Sequence, residues 1–311
     1  LGAQNFTTAT NAYNTAVGYN AGVGITVGTF NTLLGGLAGD SLTDADFNVA
    51  LGTQSLQDDT LGSKSVAVGH GTLNAQNFTT ATDTYNTAVG HAAGLSVTTG
   101  INNTLIGATA GDAITTGQQN TAVGRASLGA TTTANNNTAM GYYALTTNTT
   151  AADNTAFGAS ALSANTTGSA NTAVGKGAGL SVTTGVQNTL IGGLAGDALT
   201  DADYNVVVGG EALTLDTLGS RSVAIGRAAL AAQNFTTATD TYNTAVGNNA
   251  GLSVTTGIQN TLIGGLAGDA LTDADYNVAV GKVALTSDTL GSRSTALGYA
   301  ALFTQNFTTA T

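Results

Sequence analysis

The sequence predicts an all-β fold, a parallel β-roll or β-solenoid of about 17 coils. Three observations predict it: a short repeat of fixed period, 43 Gly with no Pro, and charged residues at only 8% of 311 positions. Asn-Thr-Ala-Val-Gly, or a close variant, ends at Gly18, Gly35, Gly52, Gly69, Gly90, Gly107, Gly124, Gly141, Gly158, Gly175, Gly192, Gly209, Gly226, Gly247, Gly264, Gly281 and Gly298. Fourteen of the sixteen spacings are 17 residues; Gly69 to Gly90 and Gly226 to Gly247 are 21. A period held this long means stacked coils, each one supersecondary unit. Pro would delete a ladder N–H, so its absence fits. Parallel strands stack about 4.8 Å apart, so a charged column would set like charges side by side.

Each aligned column has a physical job. Four residues before the Gly stands Asn in fourteen units and Ser in three (Ser65, Ser222, Ser294). Three before it is always Thr or Val, two before is mostly Ala, and one before is a sizeable apolar residue such as Val17, Ile106, Met140 or Phe157. Three after is Ala in fourteen units, and four after is Gly or Leu. One short strand, a Gly-dependent bend and a second apolar stretch follow, closed by a turn rich in Thr, Asp, Asn and Gly. Side chains alternate along a strand. The β-branched and large apolar columns therefore share a face, which hydrophobicity assigns to the interior. The Asn/Ser and Ala/Leu columns are then outside, leaving an apolar stripe with Leu33, Leu105, Leu190, Leu262 and Val207 to be covered by identical neighbours.

The single repeat array is expected to run over 1–311 as a fragment of a longer fibre, since residues 302–311 nearly repeat 1–10 and neither end shows a capping unit. Net charge is −11, which disfavours nucleic acid and anionic membrane as partners. No apolar run is long enough to span a bilayer. Without Cys there are no disulfides or thiolate metal sites.

Ser222-Val223-Ala224-Ile225-Gly226 and Ser65-Val66-Ala67-Val68-Gly69, among the Asn-Thr-Ala-Val-Gly units, resemble the head repeats of YadA-like trimeric autotransporter adhesins. The arrays are also similar to those in tail-fibre and other structural proteins of aquatic bacterial viruses. The resemblance covers nearly the whole chain. It implies a left-handed parallel β-roll, three chains around a threefold axis, and an extracellular, cell-surface or virion location. The coils here are longer than those usual for adhesin heads, which implies longer outer turns.

Asp44 and Asp46, Asp201 and Asp203, and Asp273 and Asp275 are paired turn carboxylates of a kind that can hold Ca²⁺. Asp also favours turns by bonding its own backbone, which is the preferred reading. His70 and His91 sit one coil apart as exposed stacked imidazoles. Phe6, Phe78, Phe235 and Phe307 recur in Gln-Asn-Phe-Thr-Thr-Ala-Thr segments, with Tyr85 and Tyr242 downstream. Phe78, Tyr85, Phe235 and Tyr242 are candidates for contact with a surface glycan or protein receptor, although packing onto the roll is favoured. No catalytic residue, cofactor site or resident metal is expected: Glu211 is the only Glu, and Gly22-Val23-Gly24 precedes no helix.

The leading expectation is a non-catalytic fibre segment, a homotrimeric rod with an adhesive surface. The head of a bacterial trimeric adhesin is the alternative. An ice-binding solenoid comes third, weakened because the Thr column should point inward.

Overall fold

The computed structural model describes residues 4, 5, 7 and 9–309; Phe6 lies outside them. The chain is an all-β parallel β-solenoid of about 17 turns, with no helix among the described residues. It divides into two compact units, Leu1–Asp153 and Asn154–Thr311. Within the first, strands run from Thr15–Val17 to Thr138–Met140; within the second, from Thr155–Phe157 to Thr295–Leu297. Consecutive strands pair in parallel and in register, as in Thr15 with Thr32 or Thr189 with Val206, so each 17-residue step returns the chain over its own track. The ladder bonds include Thr189 N to Asn205 O at 2.8 Å and Gly209 N to Ile191 O at 2.7 Å.

The repeat Gly cannot be another residue, for two reasons. Its φ lies between +122° and +147° in every coil, a region that L side chains rarely enter. A Cβ on Gly192 would also stand 2.6 Å from the carbonyl carbon and oxygen of Gly209 on the next coil.

The strand faces are the reverse of the sequence expectation. From the second repeat strand onward the central Ala, Leu or Val is buried, while the flanking Thr/Val and large apolar residues are half-buried or exposed; in the first strand Ala16 is half-buried. Leu33, Leu105, Leu190, Leu262 and Val207 are fully buried, whereas Val17 is 56% and Phe157 53% exposed. The alternation along each strand holds, with its sign reversed. The interior of so short a coil is narrow and favours small side chains. It also needs Asn to satisfy backbone groups that close the coil.

That Asn column is a buried ladder. Asn188 donates Nδ2–H to the carbonyl of Ala202 in its own coil at 2.7 Å, and its Oδ1 accepts the backbone N–H of Asn205 at 3.0 Å. The same pair of bonds recurs at Asn31, Asn103 and Asn260. Buried amides are stable only when so partnered.

Core volume is balanced by a two-state rule. Where the residue four after the repeat Gly is itself Gly, the residue seven after is large and apolar: Gly22 with Ile25, Gly39 with Leu42, Gly111 with Ile114, Gly196 with Leu199. Where it is Leu, the later residue is polar: Leu56 with Asp59, Leu73 with Gln76, Leu128 with Thr131, Leu213 with Asp216. A Cβ on Gly39 would fall 2.7 Å from Leu42 Cδ1 and 3.0 Å from Leu33 Cδ2, so the two large groups exclude each other. Either choice fills the same space, as close-packed interiors require.

Candidate functional site

The two 21-residue coils add a short second strand pair, Gly62–Ser63 with Thr82–Asp83 and Gly219–Ser220 with Thr239–Asp240. Beneath each lies a buried polar network. Gln76 Nε2 donates to Asp59 Oδ2 at 2.6 Å and to Ser65 Oγ at 2.9 Å, while its Oε1 accepts from Asn86 Nδ2 at 2.9 Å. Ser65 Oγ meets Thr84 Oγ1 at 2.5 Å. Asp216, Gln233, Ser222, Asn243 and Thr241 repeat the arrangement. The Ser that replaces Asn in the ladder thus makes room for the Gln. A Ser at this position precedes each long coil, and this substitution was the available sequence signal.

Phe78 and Phe235 are only 7% exposed, which agrees with the favoured packing reading and leaves little of either ring for a surface contact. Their backbone is clamped from the coil below: Phe78 N donates to Asp59 Oδ1 at 3.3 Å, and Thr60 Oγ1 donates to the Phe78 carbonyl at 2.7 Å. Burial raises the Asp59 carboxyl above its ordinary value, opposed by the hydrogen bonds from Gln76, Gly62 and Phe78. Phe307, in the last copy of the segment, is 44% exposed.

Tyr85 and Tyr242 are each 54% exposed. Lys64 Nζ lies 5.3 Å from the Tyr85 ring centroid and pairs with Asp83 at 2.5 Å. The hydrogen bond from Lys64 holds the Asp83 carboxyl below its ordinary value. Arg221 pairs with Asp240 at 2.9 Å and sits between Tyr204 and Tyr242, 4.8 and 6.0 Å from their centroids. Upstream in the same column, Tyr13, Phe30 and Phe47 stack at 5.2 and 4.9 Å.

Five of the six paired carboxylates, all but Asp44, bond across coils instead of to their own turns, which corrects the turn reading. Asp46 Oδ1 accepts from Thr29 N at 2.6 Å and Thr29 Oγ1 at 2.8 Å. Asp203 and Asp275 accept from Val186 N and Ile258 N at 2.7 and 2.8 Å. Asp201 and Asp273 accept from Thr184 and Thr256 hydroxyls at 2.5 and 2.6 Å. Like Asn in the ladder, each Asp is thereby a staple to the preceding coil. His70 and His91 stack at 5.4 Å. Among the described residues, no three His, Cys, Asp or Glu gather closely enough to hold a metal ion.

What remains exposed is the outward strand face. In each unit it carries a β-branched column, such as Thr172 and Thr189, beside a large apolar column that includes Leu34, Ile106, Phe157, Ile191 and Ile263 at 37–53% exposure. Among the described residues no helix is long and apolar enough to cross a membrane. Comparison with protein-family models and with curated proteins returns no match for this chain.

Proposed function

We propose that this chain is a non-catalytic structural segment of an extracellular or virion fibre, assembled side by side with identical copies. The observation that carries the reading is the outward apolar stripe. Continuous exposed apolar patches on soluble proteins mark contact surfaces or aggregation hazards. A stripe repeated every coil is matched best by a second surface with the same repeat, which an identical chain supplies. The resemblance to YadA-like heads favours three chains. Ladder bonds and a buried amide column on most coils suit a mechanical role, while the outer turns are free to vary. The head of a bacterial trimeric adhesin uses the same assembly and remains the alternative.

Sedimentation equilibrium with cross-linking tests the assembly. A trimer is expected, and Ile191→Lys together with Ile263→Lys should dissociate it. A monomer at all concentrations would contradict the proposal.

The outward Thr column favours a second reading, an ice-binding plane, because the objection that Thr points inward no longer stands. Against it, Met140 and Phe157 interrupt the evenness of the neighbouring column, and Val206, Val223 and Val278 interrupt the Thr. Absence of thermal hysteresis would end this reading.

A further inference from the structure

The column just after the repeat Gly carries a side chain in most coils, including Tyr142, Lys176, Arg227 and Asn248, but at Gly193 and Gly210 two successive coils have none. These two glycines are not needed by the backbone. A Cβ on Gly193 would meet nothing within 4 Å, and one on Gly210 only the Gly193 carbonyl oxygen at 3.9 Å. Neither has the positive φ that Gly192 and Gly209 require. Their effect is an open cavity of about 470 Å³ in the second unit, lined by Leu194, which is 40% exposed. Lys176 and Arg227 stand at its two ends and Glu211 beside Arg227.

The charges are unusual for this chain. Two of its seven Lys and Arg residues and its only Glu line one cavity. Arg227 Nη2 pairs with Glu211 Oε2 at 3.1 Å, which neutralises that end. Lys176 has no ion-pair partner among the described residues, so one uncompensated cation remains beside an apolar lining in a chain of net charge −11.

We propose that this cavity binds a uronic-acid residue of an acidic polysaccharide. The carboxylate pairs with Lys176, the C–H face of the sugar ring lies on Leu194 and the glycine backbone, and the hydroxyls donate to Glu211 and accept from Arg227. Apolar walls with a few convergent polar groups are the usual make-up of such sites, and the volume lies within the roughly 300–1,000 Å³ of small-ligand pockets. The site belongs to one unit and does not depend on the fibre assembly proposed above.

Calorimetric titration of the wild-type chain with oligogalacturonate, and with neutral galacto-oligosaccharide of equal length, tests the proposal at low salt. Binding of the acidic oligomer alone is expected. Lys176→Met should weaken it by about tenfold or more, and Gly193→Leu should abolish it by filling the cavity. Both variants should keep the wild-type melting profile and the wild-type sedimentation behaviour. No heat with oligogalacturonate, equal affinity for the neutral oligomer, or unchanged binding in both variants would overturn the assignment.

Discussion

Asn205 donates its backbone N–H to the side-chain oxygen of Asn188, 3.0 Å away and exactly one coil earlier, while the Asn188 amide nitrogen reaches the Ala202 carbonyl at 2.7 Å. One side chain therefore both closes its own coil and fastens the next. Replacing Asn188 by Ala leaves the Asn205 N–H and the Ala202 carbonyl buried without these partners, at a cost of about 1–3 kcal/mol for each group. Denaturant unfolding should show a marked loss, and amide exchange should accelerate first at Asn205. Long repeat arrays need not unfold in a single step, so residue-level exchange is the better readout.

Neighbouring glycines should respond in opposite ways. Gly192→Ala meets the Gly209 carbonyl at 2.6 Å with φ at +136°, and should cost more than about 2 kcal/mol. Gly193→Ala enters open space and should leave the melting temperature unchanged.

The volume rule predicts strong coupling. Gly196→Leu alone collides with Leu190 and Leu199 and should destabilise by roughly 1–3 kcal/mol. Adding Leu190→Ala and Leu199→Asn recreates the Ala156, Leu162 and Asn165 combination found in another coil. The triple variant should recover most of the loss, so that the three changes are far from additive in a mutant cycle.

Asp59 sets a pH dependence whose sign is the reverse of a salt-bridged carboxylate. Its folded pKa is raised above the unfolded value, so the native state holds the proton more tightly. Its contribution is fully present below the unfolded pKa and is lost as pH rises through the folded pKa. A carboxyl ¹³C titration should place the Asp59 midpoint above the ordinary aspartate value of about 3.9. A midpoint at or below that value would contradict the desolvated environment described for it. Asp83, exposed and bonded to Lys64, should titrate on the opposite side.

Period, register and the parallel direction were legible in the sequence because they follow from the spacing of the repeat Gly alone. The inward face was not, because hydropathy ranks Val68 above Ala67 and says nothing of how little room a 17-residue coil has. The usable signal lay in correlated volume: Leu33, Leu105, Leu190 and Leu262 occur only in coils with Gly four after the repeat Gly and a large apolar residue three further on. Residues that vary in compensating sizes are packed together. The staples at Asp46, Asp203 and Asp275 were hidden for another reason. A turn carboxylate bonding its own backbone and one bonding the coil below have the same local sequence, and only the stacked geometry separates them.

The central claim, that the Asn column lies inside the coil and Thr-x-Val outside, is tested most directly by hydrogen exchange of the Asn171, Asn188 and Asn205 side-chain amides on the wild-type chain. The account predicts protection comparable with that of the strand backbone amides. Exchange at the rate of a free carboxamide would place these side chains in solvent and contradict it.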